Sequence, residues 1–185
     1  LNKRRRFKKK SSFRKFIIAF FVITTLGSVG LFYELYSRVY LTNIIFTEDS
    51  TEKYIYIPTD SDFPAVLDTL NANGLLLNTN SFVWLAKQKS YDTNIKSGRY
   101  KIDRALNNNE LVNLLRSGKQ TPVKVTFHNL RTKEELAAKV GSQIEADSLS
   151  IIEYIADVLF QQKLALNDDN IACIFLPNTY EFYWD

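Results

Sequence analysis

The stretch FLPNTYEFYWD, Phe175 to Asp185, gathers residue types that can bind and react. It holds five aromatic rings, the Asn178 amide, the Thr179 hydroxyl, and the Glu181 and Asp185 carboxylates around Pro177. By residue type alone this is either a binding or catalytic surface or the packed end of a domain. In the second case Pro177-Asn178 makes a turn and alternate aromatics fill a core. Other reactive side chains are sparse. His128 is single and stands at the end of a strand-like run, the position of a surface or satisfied histidine. Cys173 is the only cysteine, which excludes an intramolecular disulfide and a CxxC-type metal site. Its expected role is that of a small buried apolar residue. Metal chemistry would rest on carboxylates alone, and no acidic cluster has the required pattern, so neither a metal nor a cofactor is expected. There is no glycine-rich phosphate loop and no GxSxG nucleophile motif.

The charge is unevenly spread. Nine of the 24 basic residues lie within the first fifteen positions, and from position 16 onward 15 basic residues face 20 acidic ones, a balance of −5. A mildly acidic body lacks the basic face that phosphates demand, which argues against nucleic acid. Behind the basic run comes FIIAFFVITTLGSVGLFY, Phe16 to Tyr33, without a charge. As a helix at ~1.5 Å per residue it spans roughly 27 Å, close to the hydrocarbon thickness of a bilayer. Tyr33, Tyr36 and Tyr40 follow where an aromatic belt would sit. The basic residues place the N-terminus in the cytoplasm and the body outside. A bulky LFYELYSRV after the apolar run offers no small-x-small cleavage site, so an uncleaved single-pass anchor is expected over 16–36, with a basic tail over 1–15.

The elements that must position the terminal segment read as α+β. Residues 37–53 have no clear period and read as a stalk. KYIYIP alternates as a strand. Phe63, Val66, Leu67 and Leu70 form one helix face, with Asp60, Ser61 and Asp62 as possible caps and Gly74 as the stop. A second short helix turns Phe82, Leu85 and Ala86 inward, and SGRYKI is a second strand. Asn107 and Glu110 spell a capping box ahead of the stripe Leu111, Leu114 and Leu115, with Gly118 ending the helix. VKVTF alternates as a strand. Thr132 pairs with Glu135 at the start of a helix carrying Leu136 and Val140. Ser150 pairs with Glu153 ahead of a stripe of Ile152, Ile155, Ala156 and Leu159.

Read in order, several of these segments resemble the endolytic murein transglycosylases, the MltG/YceG-like family. They are the basic tail, the apolar helix, the strand–helix–helix–strand unit around IPTDSDFPAVLDTLNANGLL, SGRYKI with LVNLLRSGK, VKVTFHNLRTKEELAAKV, and FLPNTYEFYW. Asn178 stands where the family segment commonly has Asp, as in Bacteroidetes-like members. The resemblance implies a LysM-like module with its linking helix over 54–120 and the N-terminal part of a catalytic domain over 121–185. It further implies lytic cleavage of the MurNAc–GlcNAc β-1,4 bond in nascent peptidoglycan strands, giving 1,6-anhydro ends and terminating elongation. One glutamate would serve as acid and then as base.

In the family that glutamate follows the proline segment, so no catalytic residue is expected within these 185 positions and the acid is expected downstream. Glu153 is read as a helix-cap residue. Asn178, Thr179, Tyr180, Glu181, Tyr183 and Trp184 become the candidate substrate-binding residues, with Phe182 a further aromatic for stacking. The implied partners are the glycan strands, the inner membrane through one helix, and peptidoglycan synthases. A non-catalytic, membrane-tethered peptidoglycan-binding or scaffolding protein is the alternative. Departures from the family pattern fall at Asp60, in place of a glycine, and at two absent Glu-Gly pairs near His128-Asn129 and Ala172-Cys173. A catalytic domain cut short would leave apolar surface uncovered, so low stability is expected beyond about Gln120.

Overall fold

An unbroken apolar run with no proline gives a helix no reason to stop, and α1 runs from Lys10 to Tyr40. The protein, described by a computed structural model over residues 10–44, 52–103, 106–128, 132–168 and 170–185, divides into two units, Leu1–Leu41 and Thr42–Asp185. Residues 1–9 of the basic tail, residues 45–51 of the expected stalk, and Asn129 lie outside the described residues.

Along Phe13–Tyr40, α1 is long and apolar enough to cross a membrane, with a mean hydropathy of 2.1. The hydroxyls of Thr24, Thr25 and Ser28 are satisfied within the helix. Thr24 and Thr25 donate to the Phe21 carbonyl at 2.9 and 2.8 Å, and Ser28 donates to that of Thr25 at 2.8 Å. Such back-bonding lets Ser and Thr sit at membrane depth without an orphaned polar group. Charge reappears at the far end, where Arg38 pairs with Glu34 at 2.9 Å.

The second unit is α+β, built from two hairpin-like sheets and their helices. β1 (Glu52–Ile57) pairs antiparallel with β2 (Gly98–Asp103), with Tyr56 opposite Arg99 and Ile55 opposite Tyr100. Between them run α2 (Phe63–Ala72) and α3 (Thr79–Gln88). Asp62 caps α2 by accepting from the Ala65 amide, and Val66 and Leu70 are buried. Phe82, Leu85 and Ala86 bury the inner face of α3 as the sequence implies. Ile55 and Ile57 are fully buried while Tyr54 and Tyr56 face the other way, the period-two alternation of a half-buried sheet. α4 (Asn108–Ser117) follows, with the Asn107–Glu110 capping box complete and Gly118 left-handed at φ +69°.

Within the segment read as a stalk, Asn43 and Ile44 are buried at 5% and 6% exposure. Thr42 bridges to Asn107 and Ile44 to Leu76. The Asn43 amide donates to Asn108 Oδ1 at 2.9 Å and to the Asn78 carbonyl at 3.0 Å, and its oxygen accepts from the Asn78 amide at 2.7 Å. Asn108 in turn donates to Ser81 Oγ at 2.9 Å. Buried polar side chains survive only in such closed networks. Hydrophobic periodicity is blind to them.

The second sheet pairs β3 (Val123–Thr126) with β4 (Thr179–Phe182), and α5 (Lys133–Gly141), α6 (Ser148–Ala156) and α7 (Val158–Lys163) come between them. The core here is Val125, Phe127, Leu136, Val140, Ile155 and Ile171. Three expectations need correction. The cap of α6 is Asp147, which accepts from the Ser150 amide at 2.7 Å, so the helix starts before Ser150 and Glu153 is an exposed mid-helix residue. The long apolar stripe is broken because Asp157 ends α6 and caps α7. Of its members Ile155 is buried, whereas Ala156 and Leu159 are exposed. Cys173 is exposed, on a short 3₁₀ turn (Ile171–Ile174) whose fully buried residue is Ile171.

Candidate functional site

β4 decides what the terminal segment can do. Its alternation sends Tyr180 and Phe182 to the core side, where their ring centroids lie 5.2 and 6.3 Å from that of Phe127. Phe175 meets Phe127 edge-on at 5.9 Å. The Tyr180 hydroxyl donates to the Leu176 carbonyl at 3.1 Å. Thr179 and Glu181 face outward: the Thr179 and Thr126 hydroxyls bond at 2.9 Å, and Glu181 lies 3.4 Å from Lys124. Asn178 is exposed; its carbonyl accepts from the Phe127 amide at 2.8 Å and extends the ladder. Tyr183 is 66% exposed. The six candidates therefore do not share one surface.

Trp184 goes elsewhere, onto the β1–β2 sheet. Its ring meets Tyr56 in a T-shaped contact at 5.1 Å, and its carbonyl accepts from the Glu145 amide at 2.6 Å. Glu145 reaches back to Thr59, accepting from the amide at 2.8 Å and from the hydroxyl at 2.6 Å. Asp185 accepts from Ser97 Oγ at 2.5 Å and from Gln120 Nε2 at 2.7 Å. Burial pushes the Asp185 carboxyl up, but these two hydrogen bonds outweigh it and hold the group below the usual carboxylate range. Burial likewise raises the Tyr100 hydroxyl, to about 12, with the nearby Asp185 charge adding to it.

Beside the Tyr56–Trp184 contact lies an open, shallow cleft of about 450 Å³ lined by Tyr56, Arg99, Val123, Ser142, Gln143, Ile144 and Trp184. Its size and mix of aromatic walls with a few polar groups are those of a small-ligand site. Tyr56 and Arg99 escape a reading centred on the last eleven residues, because each sits inside an ordinary strand pattern. The available signal is period two: with Ile55 and Ile57 inward, Tyr54 and Tyr56 must face out, and pairing places Arg99 beside them. The Arg99 guanidinium lies 3.8 Å over the Tyr54 ring. A second hollow, about 470 Å³, is lined by the turn after β1 and by Asp92 to Ser97. In that turn Asp60 is left-handed at φ +59°, the conformation that a glycine adopts freely. No group of three or more possible metal ligands occurs among the described residues.

A model of the YceG-like family matches residues 55–185, from β1 to the last residue. The chain belongs to the YceG-like family. That family includes murein transglycosylases. Among solved structures, a yceG-like protein of Listeria monocytogenes is similar at a TM-score of 0.35 and 18% identity, over 71% of this chain and 48% of that one. The chain thus spans about half the length of that YceG-like structure. No curated protein matches it.

Proposed function

We propose that this YceG-like chain is the anchor, glycan module and groove wall of a membrane-bound endolytic peptidoglycan transglycosylase. The observation that carries this reading is the family match over residues 55–185, which takes in the cleft that Trp184 helps to line. Transglycosylation needs less protein than hydrolysis. A glycosidase uses two carboxylates, whereas one protonated glutamate can give its proton to the leaving oxygen at C4 of the next sugar. The C1–O4 bond breaks, the substrate's own 6-hydroxyl bonds to C1, and its proton returns to the same carboxylate.

That glutamate must be desolvated to stay protonated at neutral pH. Glu153 and Glu181 are exposed and Glu145 is held by Thr59, so none of these three is placed for the task. In this reading the acid follows the proline segment, as the family resemblance implies, and these residues supply binding and position. Trp184 then forms the stacking wall and the LysM-like module its opposite side, while Asn178, Thr179, Glu181 and Tyr183 stay outside the cleft lining. The apolar helix would hold this groove near the bilayer, its body outside, where new strands leave their synthases.

The test incubates uncrosslinked glycan strands with the longest product of the gene and, separately, with these 185 residues. Mass spectrometry of the strand ends should find 1,6-anhydromuramyl termini with the first alone and strand binding with both. Binding by both products without new ends would favour a tethered scaffold instead.

A further inference from the structure

Arg99 carries the one formal charge among the residues lining the Tyr56–Trp184 cleft. It is half-buried on β2 and takes part in none of the described ion pairs. Two neutral partners fix it instead. Nη1 donates to the Pro122 carbonyl at 2.8 Å, and the guanidinium plane lies over the Tyr54 ring. Nε is enclosed without a hydrogen-bond partner. The carboxylates next in sequence to the lining residues Ile144 and Trp184 are already engaged, Glu145 by Thr59 and Asp185 by Ser97 and Gln120. A half-buried cation is ordinarily paired, because desolvation penalises a lone charge. Here two neutral partners orient a guanidinium that is desolvated in part, and none of the described ion pairs supplies it a counter-ion.

We propose that Arg99 recognises a carboxylate on the ligand of this cleft, namely a free carboxylate of the peptide stems borne by a peptidoglycan strand. The inference rests on the glycan-groove reading and adds specificity to it. In the intact strand each muramyl lactyl carboxyl is tied up in the amide to its stem, so the N-acetylated sugar backbone is neutral and can satisfy the Tyr56 and Trp184 rings and the Ser142 and Gln143 side chains without using the charge. Only the stems bring carboxylates. With Nη1 on the Pro122 carbonyl and Nε enclosed, Nη2 is the group left to meet a carboxylate oxygen, at a position fixed by the Pro122 bond and the Tyr54 ring, which a flexible lysine would reproduce only in part. The body's balance of −5 from position 16 onward would repel an anionic chain in general. Against that background a single oriented cation discriminates where the carboxylate sits.

The experiment measures binding of the full chain, in detergent, to uncrosslinked strands bearing their stems and to the same strands stripped of stems by an amidase and then capped as methylamides at the lactyl carboxylates that this cleavage exposes. Wild type is expected to hold stem-bearing strands about tenfold more tightly, equal to ~1.4 kcal/mol. Arg99→Gln should erase that difference while binding stripped strands like wild type, which also certifies its fold. Arg99→Lys should recover part of it. Equal wild-type affinity for both strands would overturn the assignment while leaving the groove intact. A parallel loss on both strands in Arg99→Gln would overturn it too, reducing Arg99 to a support for Pro122. Absence of wild-type binding to either strand would remove the glycan reading itself, and this inference with it.

Discussion

Replacing Trp184 by alanine separates a stacking wall from a packed chain end. Trp184 is half-buried and meets one ring, Tyr56, at 5.1 Å. An aromatic pair adds ~0.5–1.5 kcal/mol beyond area burial, and truncating a fully buried aromatic costs ~3–5 kcal/mol. A half-exposed ring should therefore cost about 2 kcal/mol of stability. Losing one face for a pyranose should separately weaken strand binding about tenfold, or ~1.4 kcal/mol. Phe127→Ala is the contrast: Phe127 is 2% exposed in the core, so the stability loss should reach about 3–5 kcal/mol with binding unchanged wherever the variant is folded. Urea unfolding followed by far-UV circular dichroism gives the first quantity and strand co-sedimentation the second. A Tyr56→Ala/Trp184→Ala cycle should return a coupling of about 1 kcal/mol in stability. If Trp184→Ala loses as much stability as Phe127→Ala and binds strands like wild type, the ring is core and the wall assignment is wrong.

Four further outcomes follow from the same geometry. Asn43→Ala strips the Asn78 amide and Asn108 Oδ1 of their partner, so urea unfolding should show a loss of about 3 kcal/mol, mostly shared with Asn108→Ala in a double mutant. Gly98→Ala places a Cβ 2.1 Å from Gln120 Cδ at φ +125°. It should cost about 2 kcal/mol or more and loosen Asp185, whereas Gly27→Ala, with nothing within 4 Å, should be mild. Tyr91 is fully buried and its hydroxyl has no partner, so Tyr91→Phe should raise the unfolding free energy by about 1 kcal/mol, and a clear decrease would contradict this. Asp147 is held below the usual carboxylate range by the Ser150 amide and hydroxyl. Its folded pKa is depressed, so its contribution is present above the unfolded value near 3.8 and fades as pH falls through the folded one. Asp147→Asn keeps the cap and should flatten that acid limb in a pH series of thermal melts.

Local rules with a mechanism could be read directly. The Asn107–Glu110 box, the left-handed Gly118, the inward Phe82, Leu85 and Ala86, and the α2 cap each follow from one backbone requirement and a few neighbours. Failures came where a competing polar residue decides. Asp147 and Asp157 are caps as good as Ser150, and the chain uses them, which shifts and splits what apolar periodicity reads as one helix. The Asn43 network is invisible to any hydrophobic pattern, since its partners lie 35 and 65 positions away. The site shows the same division. The terminal aromatics were visible as a group, but the ladder of β4 sorts them, sending Tyr180 and Phe182 to the core and freeing Trp184 for the other sheet. Tyr56 and Arg99 enter only through the β1–β2 register.

The most direct measurement is cleavage of uncrosslinked strands by the longest product of the gene in heavy-oxygen water, with mass spectrometry of the new muramyl ends. Intramolecular attack by the 6-hydroxyl adds no water, so the ends should be one water lighter than hydrolysed ends and carry no label. Labelled reducing ends would mean that water is the nucleophile, and the transglycosylase reading of this groove would be wrong.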